Sequence, residues 1–251
     1  IRRPITYISL QSGYERVIID APRDSPKDWR CLLLLLPLKS TILRLSLRGI
    51  NPMIWRRLLV RSDSTLADLH YITQIVMNWS NYYLHRFTIR GRTYAVFRSA
   101  HIEGRDAEEY TLQKLNLRLN ERFLYEYSFF AWWTHEFRLE KRLPLIEGKV
   151  YPVYTGGARV APEETWGGAE GFMQRQEHYS TFDMTEAMVD FLSPLWQGEL
   201  PDEDQMDFFR AEIKNFQYWI NVEKLDRRDV NQRLKWYAQG DERWAEALEV
   251  L

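Results

Sequence analysis

His135 stands on the apolar face of an aromatic strand, between Trp133 and Phe137 at alternating positions. An imidazole so placed suits a general base or a metal ligand. The plainer alternative is a core histidine satisfied by a backbone or side-chain partner. His70 and His85 are two further imidazoles, one in the first half of a predicted helix and one at the start of a predicted strand. Protein metal sites need three or four ligands. No close-spaced ligand pair supplies them here, so only convergence of His70, His85 and His135 in the fold would build such a site. Glu163 and Glu164 follow Pro162 and precede Gly167-Gly168. A carboxylate beside flexible backbone suits acid–base work or cation binding, or is simply a solvated acidic turn. Together these residues define one possible reading: a hydrolase-type enzyme with His135, His85 and Glu163 or Glu164 around one pocket. The phosphate-binding glycine spacings, the nucleophile elbow and the H-E-x-x-H pattern are all absent from the sequence. No cofactor is expected, and no metal.

The second constellation is basic. From Thr41 to Ala100 there are nine arginines, no lysine and two acids, a surplus of +7. From Ala161 to Arg210 twelve acids face two arginines, a surplus of −10, although the whole chain carries only −1. Arg44, Arg48, Arg56, Arg57, Arg61, Arg86, Arg90, Arg92 and Arg98 fall on two predicted hairpins interleaved with Trp55, Tyr82, Tyr83 and Tyr94. Guanidinium groups grip phosphate in a fork and stack on bases. A basic, aromatic sheet surface can therefore bind DNA or RNA, with Arg44, Arg48, Arg56, Arg57, Arg90 and Arg92 as the expected contacts. The alternative is that these arginines pair with the acidic C-terminal half of the same molecule. A third reading makes the acidic helices from Thr185 to Trp219 a dock for a basic protein partner.

The elements that would position these groups follow from periodicity. Leu43, Leu45 and Leu47 alternate with Arg44, Ser46 and Arg48, which is a half-wet strand. Gly49 to Pro52 turns the chain, and Ile54 to Val60 alternates again. Arg56 then shares a face with Ile54, Leu58 and Val60, while Arg57 falls with Trp55 and Leu59. A helix follows, capped by Ser64 or Thr65, with Leu66, Leu69 and Val76 at helical spacing. A second hairpin spans Leu84–Ile89 and Thr93–Phe97 around Arg90-Gly91-Arg92. Residues 98–110 read as loop. Phe123 to Phe129 and Trp133 to Glu140 form two strands with matched apolar faces. Leu143 to Gly171 holds six of the twelve glycines and reads as loop. Helices are expected at Thr185–Leu192, Glu203–Trp219, Arg228–Ala238, with Asp226 as its cap, and Glu242–Leu251. Strands first and helices last predict an α+β fold: an antiparallel sheet of hairpins, one helix inserted early, and a helical C-terminal part.

Composition agrees with a globular chain of 251 residues, 45% hydrophobic and 27% charged. A single cysteine, Cys31, excludes an internal disulfide and suits a reducing, cytoplasmic setting. The longest apolar run, Cys31 to Leu38, contains Pro37 and falls short of the roughly 20 residues of a bilayer span; it reads as a buried strand, and no membrane association is expected.

The run Arg48 to Arg61, RGINPMIWRRLLVR, resembles the opening motif of the plasmid pRiA4b ORF-3-like family. The resemblance continues through Leu66–Trp79, through Leu84–Phe87 with Gly91 and Tyr94, through Phe123–Lys141 and Tyr151–Phe172, and ends at Leu225-Asp226, Asn231 and Leu234. It implies a domain over 41–235, preceded by an N-terminal extension of strand and loop at 1–40 and followed by a C-terminal helix at 236–251. It also implies an α+β fold and an accessory or passenger protein of plasmids and insertion elements, with no assigned activity. Where the family carries Asp-Phe-Gly-Asp, this chain has Ser128-Phe129-Phe130-Ala131. Where the family carries a cysteine before Gly-Gly, it has Trp166. With those acids and thiols gone, the leading expectation is a non-catalytic protein that binds nucleic acid or a protein partner through its arginine-rich sheet.

Overall fold

Side-chain alternation shapes the sheet. β1 (Lys39–Leu47) buries Leu43, Leu45 and Leu47 and turns Arg44 and Ser46 to the other face. β2 (Trp55–Arg61) returns antiparallel to it, with Arg57 opposite Arg44. β3 (His85–Ile89) and β4 (Arg92–Ala95) make the second hairpin. β5 is the short pair Arg105–Asp106. β6 (Arg122–Tyr127) and β7 (Trp133–Pro144) make the third hairpin, and β8 is Val153–Ala158. The strands join in one sheet of order β5-β4-β3-β6-β7-β1-β2-β8, antiparallel except for the β4–β5 pair. The computed structural model of the chain describes residues 38–96, 104–179, 181–198 and 202–249. The expectations for residues 1–37, and that for Arg98, lie outside the described residues.

The inner face is lined by Leu43, Leu45, Phe87, Phe123, Tyr125, Tyr127, Trp133, His135 and Phe137, all buried. Helix α1 (Leu66–Met77) lies on it. Thr65 Oγ1 accepts from Asp68 N at 3.0 Å, and Asp68 Oδ2 accepts from Thr65 N at 2.8 Å, so two orphan amides are satisfied reciprocally. The helix ends at Asn78, which takes the left-handed conformation (φ 59°) that asparagine tolerates. Ten of its twelve residues are buried because another helix covers its back: Tyr237 OH donates to Asp68 Oδ1 at 2.6 Å. That helix is α6 in chain order, after α2 (Leu112–Leu115), α3 (Gly168–His178), α4 (Thr181–Trp196) and α5 (Glu203–Asn221). α6 itself spans Arg227–Ala238, with Asp226 as its N-cap, and α7 spans Arg243–Glu249. Trp166, Phe172 and Trp219 pack ring against ring and hold α3 to α5.

The chain is α+β as the strand-then-helix order implies. Two stretches expected as loop are structured. Leu143–Gly171 contains β8 and the start of α3, and residues 104–110 contain β5 and a turn of 3-10 helix at Ala107–Glu109. Gly156 and Gly157 weaken the local signal for a strand, yet β8 is held by pairing with β2, across a bulge at Arg57/Leu58. Among the described residues no helix is long and apolar enough to cross a membrane.

Candidate functional site

The three histidines converge on Tyr125 and not on a common point. His70, from α1, and His85, from β3, stack face to face with centroids 3.5 Å apart and planes at 9°. His70 Nδ1 lies 2.8 Å from Tyr125 OH and its Nε2 lies 2.7 Å from Asn81 Oδ1. Gln74 Nε2 donates to Tyr125 OH at 2.9 Å, and Asn81 N donates to Gln74 Oε1 at 3.2 Å. Donors and acceptors close into a ring when His70 carries its proton on Nε2 and accepts from Tyr125 on Nδ1; the tautomer is assigned by this network. His135 stands on the other side of Tyr125, its ring 5.3 Å from that of Tyr125 and 5.2 Å from Trp79. Neither of its nitrogens makes a well-formed hydrogen bond among the described residues. Full burial pushes its pKa down to about 3, against weaker help from the backbone of Trp133 and Tyr125. No part of the His135 side chain reaches the surface. Among the described residues no three His, Cys, Asp or Glu side chains gather at a metal-binding distance, so the three-histidine site is not assembled. The reason is geometric: Tyr125 lies between His135 and the stacked pair of His70 and His85.

Glu163 and Glu164 part company. Glu163 is exposed, whereas Glu164 is half-buried and clasped. Its Oε1 accepts from Ser80 N and, at 3.2 Å, from Tyr127 OH; its Oε2 accepts from Ser80 Oγ at 2.8 Å. The backbone around it is gripped as well, because Trp79 Nε1 donates to Pro162 O at 2.7 Å and Trp133 Nε1 to Glu164 O at 2.9 Å. The segments around Trp79, Tyr127, Trp133 and Glu164 thus interlock. Burial outweighs the donors from Ser80 and Tyr127 and raises the Glu164 carboxyl above its ordinary value. A raised carboxyl pKa contributes stability at low pH that is lost as pH rises through the folded value. Glu164→Gln, which keeps a carbonyl for Ser80 N, is therefore expected to raise the melting temperature modestly at pH 8 and to leave it unchanged near pH 4. Thermal denaturation at the two pH values checks this, and a loss of stability at pH 8 would contradict it.

The arginines are divided between the two faces of the sheet. Arg56 points inward and is 1% exposed, so it is no part of any outer surface; this corrects its expected place among the binding residues. Arg57 points outward. Register places Arg57 opposite Arg44, Arg44 opposite Arg138 and Arg138 opposite Arg122, so β2, β1, β7 and β6 carry one row of four guanidinium groups across the outer face. Adjacent strands lie about 4.8 Å apart, so the row is roughly 14 Å long. Like charges directly opposite each other destabilise a sheet. Two of the four are compensated: Arg57 by Glu140 at 2.7 Å and Arg122 by Glu136 at 3.1 Å. Arg44 and Arg138 have no carboxylate partner among the described residues. Arg138 donates to Asn120 Oδ1 at 2.6 Å, Arg44 Nη2 meets Met53 Sδ at 3.2 Å, and Arg44 Nε is buried with no hydrogen bond. Glu140 feels Arg57, Arg44 and Arg138 together, and its carboxyl is held below the usual range, chiefly by the Arg57 hydrogen bond. Trp55 lies under Arg44 and Arg57, with guanidinium carbons 4.9 and 5.1 Å from its ring.

The other expected arginines lie outside this row. Arg90 pairs with Glu121 at 2.7 Å, Arg86 pairs with Glu126 at 2.6 Å, and Arg48 and Arg92 are exposed. Among the described residues none of the arginines from 41 to 96 pairs with an acid of the acidic stretch 161–210. Their carboxylates come from the sheet itself (Glu126 and Glu140), from the turn before β6 (Glu121) and, for Arg61, from Asp63 just after β2. Arg122 and Arg138 escaped the sequence reading. Alternation set Arg138 on the wet face with Glu136 and Glu140, but no periodicity tells which arginine will face it across a gap.

A serine closes the turn between β6 and β7. Ser128 takes a left-handed conformation (φ 55°), and its Oγ accepts from Ala131 N at 3.3 Å, as a short acidic side chain also does in such turns. Phe130, in the same turn, stands 94% exposed.

Over residues 39–205 the sequence matches the family described as plasmid pRiA4b ORF-3-like protein. It is 26% identical over 134 residues to the uncharacterized protein y4hQ of Sinorhizobium fredii (strain NBRC 101917 / NGR234), which takes in 53% of this chain and 69% of the relative. The fold is similar to the crystal structure of a protein of unknown function, MM3350, from Methanosarcina mazei Go1. The TM-score is 0.55 and the identity 34%, over 66% of this chain and 92% of the other.

Proposed function

We propose, for this chain, which belongs to the plasmid pRiA4b ORF-3-like family, a non-catalytic role: it binds single-stranded nucleic acid across the outer face of its sheet. The observation that carries this reading is the row Arg57, Arg44, Arg138 and Arg122, assembled from four strands over Trp55 with two of its charges uncompensated. A row of guanidinium groups suits a phosphate backbone, and an aromatic ring among them suits a stacked base. A duplex offers its bases only through grooves that a broad sheet face does not enter, so the single strand is preferred. The binding unit is residues 41–235, and the setting is an accessory protein of mobile DNA, working in the cytoplasm. The enclosure of His135 counts against the catalytic alternative.

Fluorescence anisotropy with labelled single-stranded DNA and RNA, from 50 to 200 mM salt, tests the reading. Three or four phosphate contacts predict a slope of log affinity against log salt of about −2 to −3. The double reversal Arg44→Glu/Arg138→Glu is expected to weaken binding by at least about tenfold and to flatten the slope by about 1 to 2. No binding near 50 mM salt, or equal binding by the reversed variant, would sink it.

A further inference from the structure

On the opposite face of the same strand, Arg56 lines a cleft of about 370 Å³ between the end of α1, the residues after β8, and α6. That volume is in the range of small-molecule pockets. Arg56 is nearly inaccessible, yet no carboxylate pairs with it among the described residues. Its Nε donates to Val76 O at 3.0 Å, and its Nη1 donates to Trp55 O and Ala158 O, each at 3.0 Å. Those carbonyls use three of its five N–H groups. Nη2 has no hydrogen-bond partner among the described residues. Burial brings the Arg56 pKa down to about 10, which still leaves the group charged at neutral pH. A guanidinium held rigidly by three backbone carbonyls, with one amino group unspent beside a cleft, is a preorganised half of an ion pair.

The remaining lining narrows what the other half is. Arg233 is compensated by Asp229 at 2.6 Å and also donates to Asn78 Oδ1. Lys224 and Asp226 add one charge of each sign. One positive charge therefore remains, and it is that of Arg56. A single net positive charge balances a monoanion and leaves a dianion or polyanion in excess, which counts against phosphate and nucleic acid here. The walls, Val76, Val160, Leu225 and Val230 among them, are aliphatic, with no aromatic ring in the lining to stack on a flat ligand. We infer that this cleft is a binding site for a small aliphatic monocarboxylate, whose head pairs with Arg56 and whose hydrocarbon body lies against Val76, Val160 and Val230.

Methyl-resolved NMR of the full chain, titrated separately with hexanoate, hexan-1-ol and inorganic phosphate, tests this. Hexanoate is expected to shift the methyl signals of Val76, Val160 and Val230 saturably. Hexan-1-ol, of the same length but uncharged, is expected to bind at least about tenfold more weakly, and phosphate not to compete, given the usual weight of a buried charge pair. Arg56→Gln should abolish hexanoate binding. Because that variant also loses backbone contacts, Lys224→Glu serves as a second one: it adds a negative charge to the lining without touching the core and should weaken hexanoate severalfold. The inference fails if hexanoate gives no saturable shift, if hexan-1-ol binds as well, if phosphate displaces it, or if Lys224→Glu binds hexanoate unchanged.

Discussion

Gly168→Ala is expected to lower the melting temperature by roughly 10 °C, the consequence of a loss on the order of 3–5 kcal/mol in a chain of this size. Gly167 and Gly168 open α3 with consecutive left-handed conformations, at φ +74° and +73°. That double turn drives the helix start against the β6–β7 turn. A Cβ on Gly168 would stand 2.0 Å from Ala131 O, a backbone atom that cannot swing away. The helix would have to retreat and uncover Trp166 and Phe172, both now buried. Gly148 supplies the control. It too is left-handed (φ +72°), but nothing lies within 4 Å of its would-be Cβ. Gly148→Ala should therefore cost only about 1 kcal/mol, the conformational part alone. Thermal unfolding of both variants by circular dichroism separates the terms. Similar melting temperatures would mean that the close approach at Ala131 does not matter to the fold.

His135→Leu is expected to remove a large part of the protein's sensitivity to acid. The folded pKa of His135, about 3, lies below the value of about 6.5 for a free histidine. The unfolded chain therefore takes up the proton first. Stability from this group is complete above pH 6.5 and drains away as pH falls toward 3, at up to about 1.4 kcal/mol per pH unit. Between pH 6.5 and pH 4 that amounts to about 3 kcal/mol. Leucine is of similar volume, and it puts no polar nitrogen between Trp79 and Tyr125. The variant should be at least as stable as the parent at pH 7, since it no longer buries ring nitrogens without well-formed partners. Urea unfolding from pH 7 to pH 4 reads the effect as a difference of slopes. Parallel stability curves for parent and variant would refute it.

The half-buried carboxylate of Glu164 bends the balance the other way, so the two groups leave opposite marks on the pH profile. Each touches the segment at Trp79-Ser80: His135 packs on the Trp79 ring and Glu164 accepts from Ser80. The segments that carry the family resemblance around Trp79, Tyr125, Trp133 and Glu164 meet there as structure. The outer arginine row and the Arg56 cleft lie elsewhere on the sheet.

Much of the fold is legible locally. The alternation of Leu43, Leu45 and Leu47, of Phe123, Tyr125 and Tyr127, and of Trp133, His135 and Phe137 specifies strands and the face each one buries. Thr65 with Asp68 specifies where α1 begins, and Asp226 where α6 begins. The opposite destinies of Arg56 and Arg57 are also written in a period of two. β8 and α3 were not legible, because Gly156, Gly157, Gly167 and Gly168 carry no propensity for the elements they sit in; pairing with β2 and packing on Ala131 impose them.

Periods, caps, charge imbalance and the matching family segments can therefore be read from the order of residues alone. Folding was needed to bring Arg57, Arg44, Arg138 and Arg122 into one row, to lay His70 on His85 while Tyr125 keeps His135 apart, and to leave Arg56 beside a cleft without a carboxylate of its own. A period or a cap is a property of one segment and can be read from its residues. A register, a stacked pair or a cavity is a relation between segments, and it exists only once long-range apolar contacts have selected a single pairing of strands and a single seat for α1.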